Sequence, residues 1–480
     1  SDLGSNAMQL RLPLSAQGNI ATSTGEMQLA LSDIYGSGNS AFAAVTSRSE
    51  HSFENTQLHC TSFTSCDMQS DWQSDLISWR YGEYIGENTR VTAPLRFNYS
   101  NDEIRLAADL VQILVPSVRT SAESVISELA TSLQLNELEF RAGDVISGGF
   151  NFSSSEFRLD NGIADISNPA YSGKLQLEKD TLTGVLEVDI DQRLRLGIGL
   201  QHFFLRDTGD VVLKLAPYEF TKAGPLSTLI TPKELEADLV AGQIEGLANI
   251  SWSKQLDDSW RFGGPIALKI DQLSGYYADY LFVDMNTDLF AEATTPLGIQ
   301  VSNPASASLS LIDIGLPLEG LSWQYRFDTL TGEIQIFDFD TSLLDGKLSI
   351  PVASYTSAGD RQQVDVVLAD LRVDSLIALT EYPGLEADGL ISGYLPFIIE
   401  DDTISVEKGL VGALKPGGSI RYTPADSTPS SNQNLQLVND ALSNYQYQTM
   451  DTEVFYDEDG ELLLSVQLQG RNPNMNNGQA

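Results

Sequence analysis

Cations, thiols and histidines are scarce in this chain, and no long apolar run occurs. Lys and Arg number 28 against 66 Asp and Glu, a formal net charge of -38 at pH 7. Binding a nucleic-acid backbone needs a basic footprint that displaces counterions, so this balance excludes it. The same charge opposes docking on anionic headgroups, and any lipid contact has to use apolar surface. No stretch reaches the roughly 18 consecutive apolar residues of a membrane-spanning helix, and the start carries no secretory signal pattern. Two cysteines, Cys60 and Cys66, are too few for a structural zinc site by themselves. Only Thr-Ser-Phe-Thr-Ser separates them, so in an oxidising compartment they are expected to close a small loop as a disulfide. The three histidines, His51, His59 and His202, form no paired metal-binding motif; no metal and no cofactor is expected.

Signatures of catalysis are equally sparse. There is no Gly-x-Ser-x-Gly elbow, no phosphate loop ending in Gly-Lys-Ser/Thr and no dinucleotide fingerprint. Carboxylates do come in pairs, at Asp257-Asp258, Glu400-Asp401-Asp402, Asp338 with Asp340, and Asp457-Glu458-Asp459. Such pairs leave glycoside hydrolysis or calcium binding open, but the Asp457 to Gly460 stretch is ordinary turn chemistry. No enzymatic activity is expected.

What the chain does have is a strand pattern from end to end. Its 480 residues are 42% hydrophobic and 20% charged, which places it among folded proteins rather than disordered ones. Runs of four to eight residues alternate apolar and polar between Gly, Asn, Asp or Pro breaks. Leu186, Val188 and Ile190 alternate with Glu187 and Asp189, and Leu194, Leu196, Ile198 and Leu200 with Arg195, Gly197 and Gly199. That period of two puts the aliphatics on one sheet face. Asn161-Gly162 and Asp459-Gly460 supply the positive φ of two-residue hairpins, so neighbouring strands are expected to be antiparallel. At Phe337-Asp-Phe-Asp340 the apolar positions change parity after Ile334 and Ile336, which predicts a bulge. Leu462-Leu-Leu464 predicts a strand covered on both sides. Three short helices are expected as caps: one after a Thr120/Glu123 capping box with Val125, Ile126, Leu129 and Leu133 on one face, one over residues 374–380, and one from Asn432 to Tyr445. Residues 423–434, rich in Pro, Ser, Thr and Asn, read as a mobile linker.

The last hundred residues carry a recognisable order: Gly389-Leu-Ile-Ser-Gly-Tyr-Leu-Pro396, Asp402-Thr-Ile-Ser-Val-Glu-Lys-Gly-Leu-Val-Gly412, Pro416-Gly-Gly-Ser-Ile-Arg-Tyr422, Ala441-Leu-Ser-Asn-Tyr445 and Gly470-Arg-Asn-Pro473. This resembles the C-terminal region of the YdbH family, AsmA-like and TamB-like periplasmic proteins of Gram-negative bacteria. The resemblance implies an elongated, strongly curved antiparallel sheet folded into a hydrophobic groove, mainly β with a few short capping helices. It further implies a periplasmic bridge that moves phospholipids between inner and outer membranes. Phospholipid acyl chains would then be the cargo, and Leu186, Val188, Ile190, Leu194, Leu196, Ile198 and Leu200 are candidates for the groove lining, with a closed core as the other possibility. The resemblance also implies an inner-membrane anchor outside this sequence, continuation beyond the C-terminal turn, and a small periplasmic or outer-membrane partner. Residues 1–7, ending Ser-Asn-Ala before Met8, read as an expression-tag scar. The expected organisation is a β-rich region with one short helix at 8–145, a groove-forming sheet at 146–382 and the YdbH-like region at 383–480. A chaperone-like role in outer-membrane protein assembly and a carbohydrate-binding or carbohydrate-active β-protein are the alternative readings.

Overall fold

A computed structural model describes residues 27–474, apart from 32–33, 43–44, 63, 102, 121–123, 142–143, 234–235, 357–360, 381–382, 401–402, 424–432 and 459. The expected tag at 1–7, most of the expected linker and Asp459 therefore lie outside the described residues. Strands take up 78% of the described residues and helices 4%, which leaves helices a capping role only. The chain divides into two compact units: residues 1–268 with 295–297, and residues 269–294 with 298–480.

In the first unit the strands are β1 (Met27–Leu31), β2 (Ile34–Phe42), β3 (Val45–Ser62), β4 (Ser65–Tyr81), β5 (Tyr84–Ser100), β6 (Glu103–Arg119), β7 (Val125–Arg141), β8 (Asp144–Ser154), β9 (Arg158–Asp160), β10 (Ala164–Ile166), β11 (Pro169–Glu178), β12 (Thr181–Ile190), β13 (Leu194–Phe203), β14 (Thr208–Phe220), β15 (Ile230–Pro232) and β16 (Ala237–Lys254). Strands β3 to β8 pair antiparallel in sequence order, and β8, β11, β12, β13, β14 and β16 continue the series. Up-and-down order follows from the short turns, since a two- to five-residue connection leaves only the adjacent antiparallel position within reach. Only β8–β11 and β14–β16 are joined by longer segments, which carry β9 and β10 in the first case and β15 in the second. A small core forms where Ala93, Ala108 and Val111 are buried under Trp72, Val91, Leu95, Ile113, Leu133 and Leu135. The expected helix after Thr120 is a correction: residues 125–141 are strand β7. Thr120 does act as a local cap, accepting the Ser124 N–H at 3.2 Å, but the chain turns back beside β6 instead of coiling. Pairing along the whole length of β6 outweighs an isolated amphipathic turn.

The second unit takes the later part of β17 (Trp260–Tyr277) and then β18 (Tyr280–Thr294), β19 (Gly298–Gln300), β20 (Ala305–Asp313), β21 (Pro317–Asp328), β22 (Glu333–Leu343), β23 (Gly346–Thr356), β24 (Gln362–Arg372), β25 (Leu385–Asp388), β26 (Leu390–Glu400), β27 (Thr403–Ala413), β28 (Gly418–Tyr422), β29 (Tyr445–Tyr456) and β30 (Leu462–Arg471), with helices α1 (Val373–Thr380) and α2 (Gln433–Leu442). Its pairings are again antiparallel. Both helices fall where the sequence places them. Val373 at the start of α1 is buried, and Ile377 packs on the core of Leu343, Val364, Val366, Leu368, Leu371 and Ile391. The parity change at Phe337 is a bulge: β21 advances from Gln324 to Ser322 while β22 advances from Phe337 to Asp340, and the extra residue Asp338 takes φ 49. Leu462, Leu463 and Leu464 correct the expectation of a strand covered on both sides, being 60%, 65% and 50% exposed. Consecutive leucines on an outer strand point to both faces, and among the described residues β30 is paired only with β29.

Candidate functional site: a half-buried aliphatic face

The seven candidate lining residues come together on one face of the first unit. Leu186 lies opposite Ile198, Val188 opposite Leu196, and Ile190 opposite Leu194. Directly paired residues share a face, so lateral rows extend across β11 to β16. One row reads Gly173, Leu186, Ile198, Leu213, Ala248; the next Tyr171, Val188, Leu196, Leu215, Gly246; a third Leu175, Gly184, Leu200, Val211, Ile250. Phe152 and Phe150 on β8 continue the first and third of these rows.

Every one of the seven is half-buried, and so are Val211, Leu213 and Leu215 beside them on β14. Between 169 and 216 only Pro169 and Gly209 are fully buried. A second protein layer would take such aliphatics almost wholly out of solvent, as happens in the second unit at Val364, Val366 and Leu368. The opposite face carries Lys174, Glu187, Asp189, Arg195 and Lys214, with Arg195 and Asp189 paired at 3.2 Å. Exposed Val185 and Leu247 are scattered apolar exceptions on that polar face.

Small residues let large ones lie flat on the aliphatic face. A Cβ on Gly173 would come within 2.6 Å of the Phe152 ring, and one on Gly184 within 2.3 Å of Leu175 Cδ2. At one end of the strands the β12–β13 turn is closed by the Arg193 N–H donating to the Ile190 carbonyl at 3.1 Å, with Asp191 and Gln192 at φ 53 and 57. The Asn168 amide donates to the Asp191 carboxylate, which together with Arg193 holds that carboxyl below its ordinary range. At the other end the aliphatic rows finish in aromatic groups: Trp252 donates its indole N–H to His202 Nδ1 at 3.2 Å, and Phe204 meets the His202 ring edge-on at 4.8 Å.

Cys60 and Cys66 face each other across the β3–β4 hairpin and are joined as a disulfide, with Cα atoms 4.0 Å apart. Buried hydroxyls and a half-buried imidazole stand on these strands. Ser49 Oγ and His51 Nε2 are 2.8 Å apart, the Thr56 and Ser70 hydroxyls 2.7 Å, and burial lowers the His51 pKa. No sequence signal marks them, because Ser and Thr in a strand look the same on either face.

Several of the paired carboxylates have local partners, while Asp401, Asp402 and Asp459 lie outside the described residues. Asp258 accepts from Lys254 at 2.9 Å, Asp257 from the Ser259 hydroxyl at 2.5 Å, and Asp457 from the Glu461 N–H at 2.8 Å. Asp338 and Asp340 line a polar hollow of 590 Å³ in the second unit with Asp271, Asp288, Ser308 and Gln324. Lys347 neutralises Asp340 at 2.8 Å. Among the described residues no group of His, Cys, Asp and Glu is placed to hold a metal ion.

The C-terminal motifs converge on a residue outside them, Tyr447. A Cβ on Gly389 or Gly418 would lie 2.3 or 2.4 Å from its hydroxyl oxygen, and one on Gly470 2.6 Å from its Cα. Asn472 of Gly470-Arg-Asn-Pro473 donates to the Asp440 carbonyl at 2.8 Å, closing the end of α2. The motif is a structural clasp in this arrangement.

No helix among the described residues is long and apolar enough to cross a membrane. The model of the YdbH-like family, described as intermembrane phospholipid transport protein YdbH, matches residues 2–480. No curated protein matches the chain.

Proposed function

The chain belongs to the YdbH-like family, and on that premise we propose that it carries phospholipid between membranes by seating acyl chains on the aliphatic face of β11 to β16. The observation that carries this reading is the half-burial of Leu186, Val188, Ile190, Leu194, Leu196, Ile198 and Leu200 on one face, most of them in lateral rows that cross from β11 to β16. Each acyl methylene taken out of water on such a face contributes about 0.8 kcal/mol. Neighbouring rows are chemically alike, so a chain moving from strand to strand exchanges one aliphatic contact for another and meets no large barrier. The headgroup stays in water, and the charge of -38 keeps an apolar-faced body from adhering sideways to anionic membranes.

In this reading the protein works in the periplasm, anchored at the inner membrane by a segment outside this sequence, and forms part of a bridge to the outer membrane. The β3–β4 disulfide agrees with an oxidising compartment. Native mass spectrometry of the purified chain tests the proposal. Masses corresponding to one or more bound phospholipids are expected, and they should be lost when Val188 and Ile198 are both replaced by Asp in protein that remains folded. Persistently lipid-free protein after incubation with phospholipid vesicles would overturn it.

A further inference from the structure

The aliphatic face ends differently at its two sides. At the side of the β14–β16 connection, Tyr218, Phe220 and Leu229 are buried, Phe220 2% and Leu229 0% exposed. The small strands β9, β10 and β15 pair across that connection and close it with protein. The other side is made of the β11–β12, β13–β14 and β16–β17 turns, which lie next to one another: Phe204 N–H donates to the Asp180 carbonyl at 2.8 Å and Lys254 N–H to the Asp207 carbonyl at 2.9 Å. Here apolar side chains project into solvent, Leu205 85% exposed and Leu256 fully so, with Phe204 and Trp260 beside them.

Between the aliphatic rows and these tips stands the hydrogen-bonded pair His202 and Trp252. Aliphatic, then amphipathic aromatic, then charged is the order a lipid itself presents from tail to headgroup. In the turns 179–180, 204–207 and 255–259, Lys179 and Arg206 stand beside Asp180 and Asp207, and Asp257 and Asp258 follow, with Lys254 at the end of β16 reaching Asp258 at 2.9 Å. Cation and anion stand side by side at Lys179-Asp180, at Arg206-Asp207 and in the Lys254–Asp258 pair, the complement of a headgroup that carries both a phosphate and an ammonium.

We propose that this turn-lined side is the rail along which headgroups travel, with the glycerol region at His202 and Trp252, and that it favours zwitterionic over anionic phospholipids. The inference rests on the acyl-chain reading above and fails separately from it. A photoreactive residue is placed at Leu205, at Leu256, at Gln192 on the opposite side, or at Ile198, and the chain is incubated with vesicles of phosphatidylethanolamine or of phosphatidylglycerol. Adducts at Leu205 and Leu256 should join through headgroup or glycerol carbons and those at Ile198 through acyl carbons. Yield at Leu205 should be about five-fold higher with phosphatidylethanolamine, the factor that about one favourable charge contact confers. Headgroup-joined adducts at Gln192, or equal yields from the two lipids, would overturn the rail while leaving the acyl-chain reading intact. No lipid adduct at Ile198 would overturn the carrier reading itself.

Discussion

Tyr447 donates its hydroxyl to the main-chain carbonyl of Asp388 at 2.6 Å. Tyr447 is buried to 2% exposure, its phenol end against Gly389 and Gly418 and its main chain against Gly417 and Gly470. Tyr447→Phe leaves the packing and removes that donor, and should cost about 1 kcal/mol in denaturant unfolding. Desolvation, with the Asp388 charge adding to it, raises the Tyr447 pKa. A phenol raised on folding contributes stability that is complete below its unfolded pKa of about 10 and lost as pH rises through the folded value. The difference between wild type and Tyr447→Phe should therefore hold steady from neutral pH and narrow in alkali; a gap that widens in alkali would contradict the assignment.

Gly173 has no room for a side chain under Phe152, since an added Cβ would also meet the Val185 carbonyl at 2.5 Å. Gly173→Val should destabilise by about 1–3 kcal/mol through displacement of that ring. Gly197 lies on the opposite face with its nearest contact at 3.8 Å, and Gly197→Ala should change stability little by comparison. Equal effects of the two substitutions would show that Phe152 does not lie where described.

Cys60 and Cys66 close the β3–β4 hairpin. Denatured, non-reduced protein should yield no alkylatable thiol, and reduction should lower stability by roughly 2 kcal/mol through a less restricted unfolded chain. Recovery of two free thiols from unreduced protein would contradict the bridge.

The strand content, the bulge at Asp338, both helices of the second unit and the shared face of Leu186 to Leu200 are legible in the sequence because each rests on local periodicity or turn chemistry. The β12–β13 turn is not, since Asp191 and Gln192 take positive φ without a glycine, held there by Asn168 and Arg193 from sequence positions on either side. Val125, Ile126, Leu129 and Leu133 fit a helix face in isolation, but pairing with β6 is a long-range contact that periodicity cannot report. Leu462 to Leu464 differ for a similar reason: consecutive leucines announce burial on both faces only when neighbouring layers exist. Tyr447 carries no local signal, because its importance lies in four glycines distant in sequence. The aromatic end of the aliphatic face is likewise a product of register, which sets His202 beside Gly209 and thereby opens the space that Trp252 fills.

Contact between the aliphatic face and lipid is tested most directly by photocrosslinking from Val188, with Glu187 on the opposite face as the comparison. Incubated with phospholipid vesicles, protein carrying the photoreactive residue at position 188 should form a phospholipid adduct on irradiation, and protein carrying it at 187 should not. No adduct from 188, or equal labelling from both positions, would contradict the account.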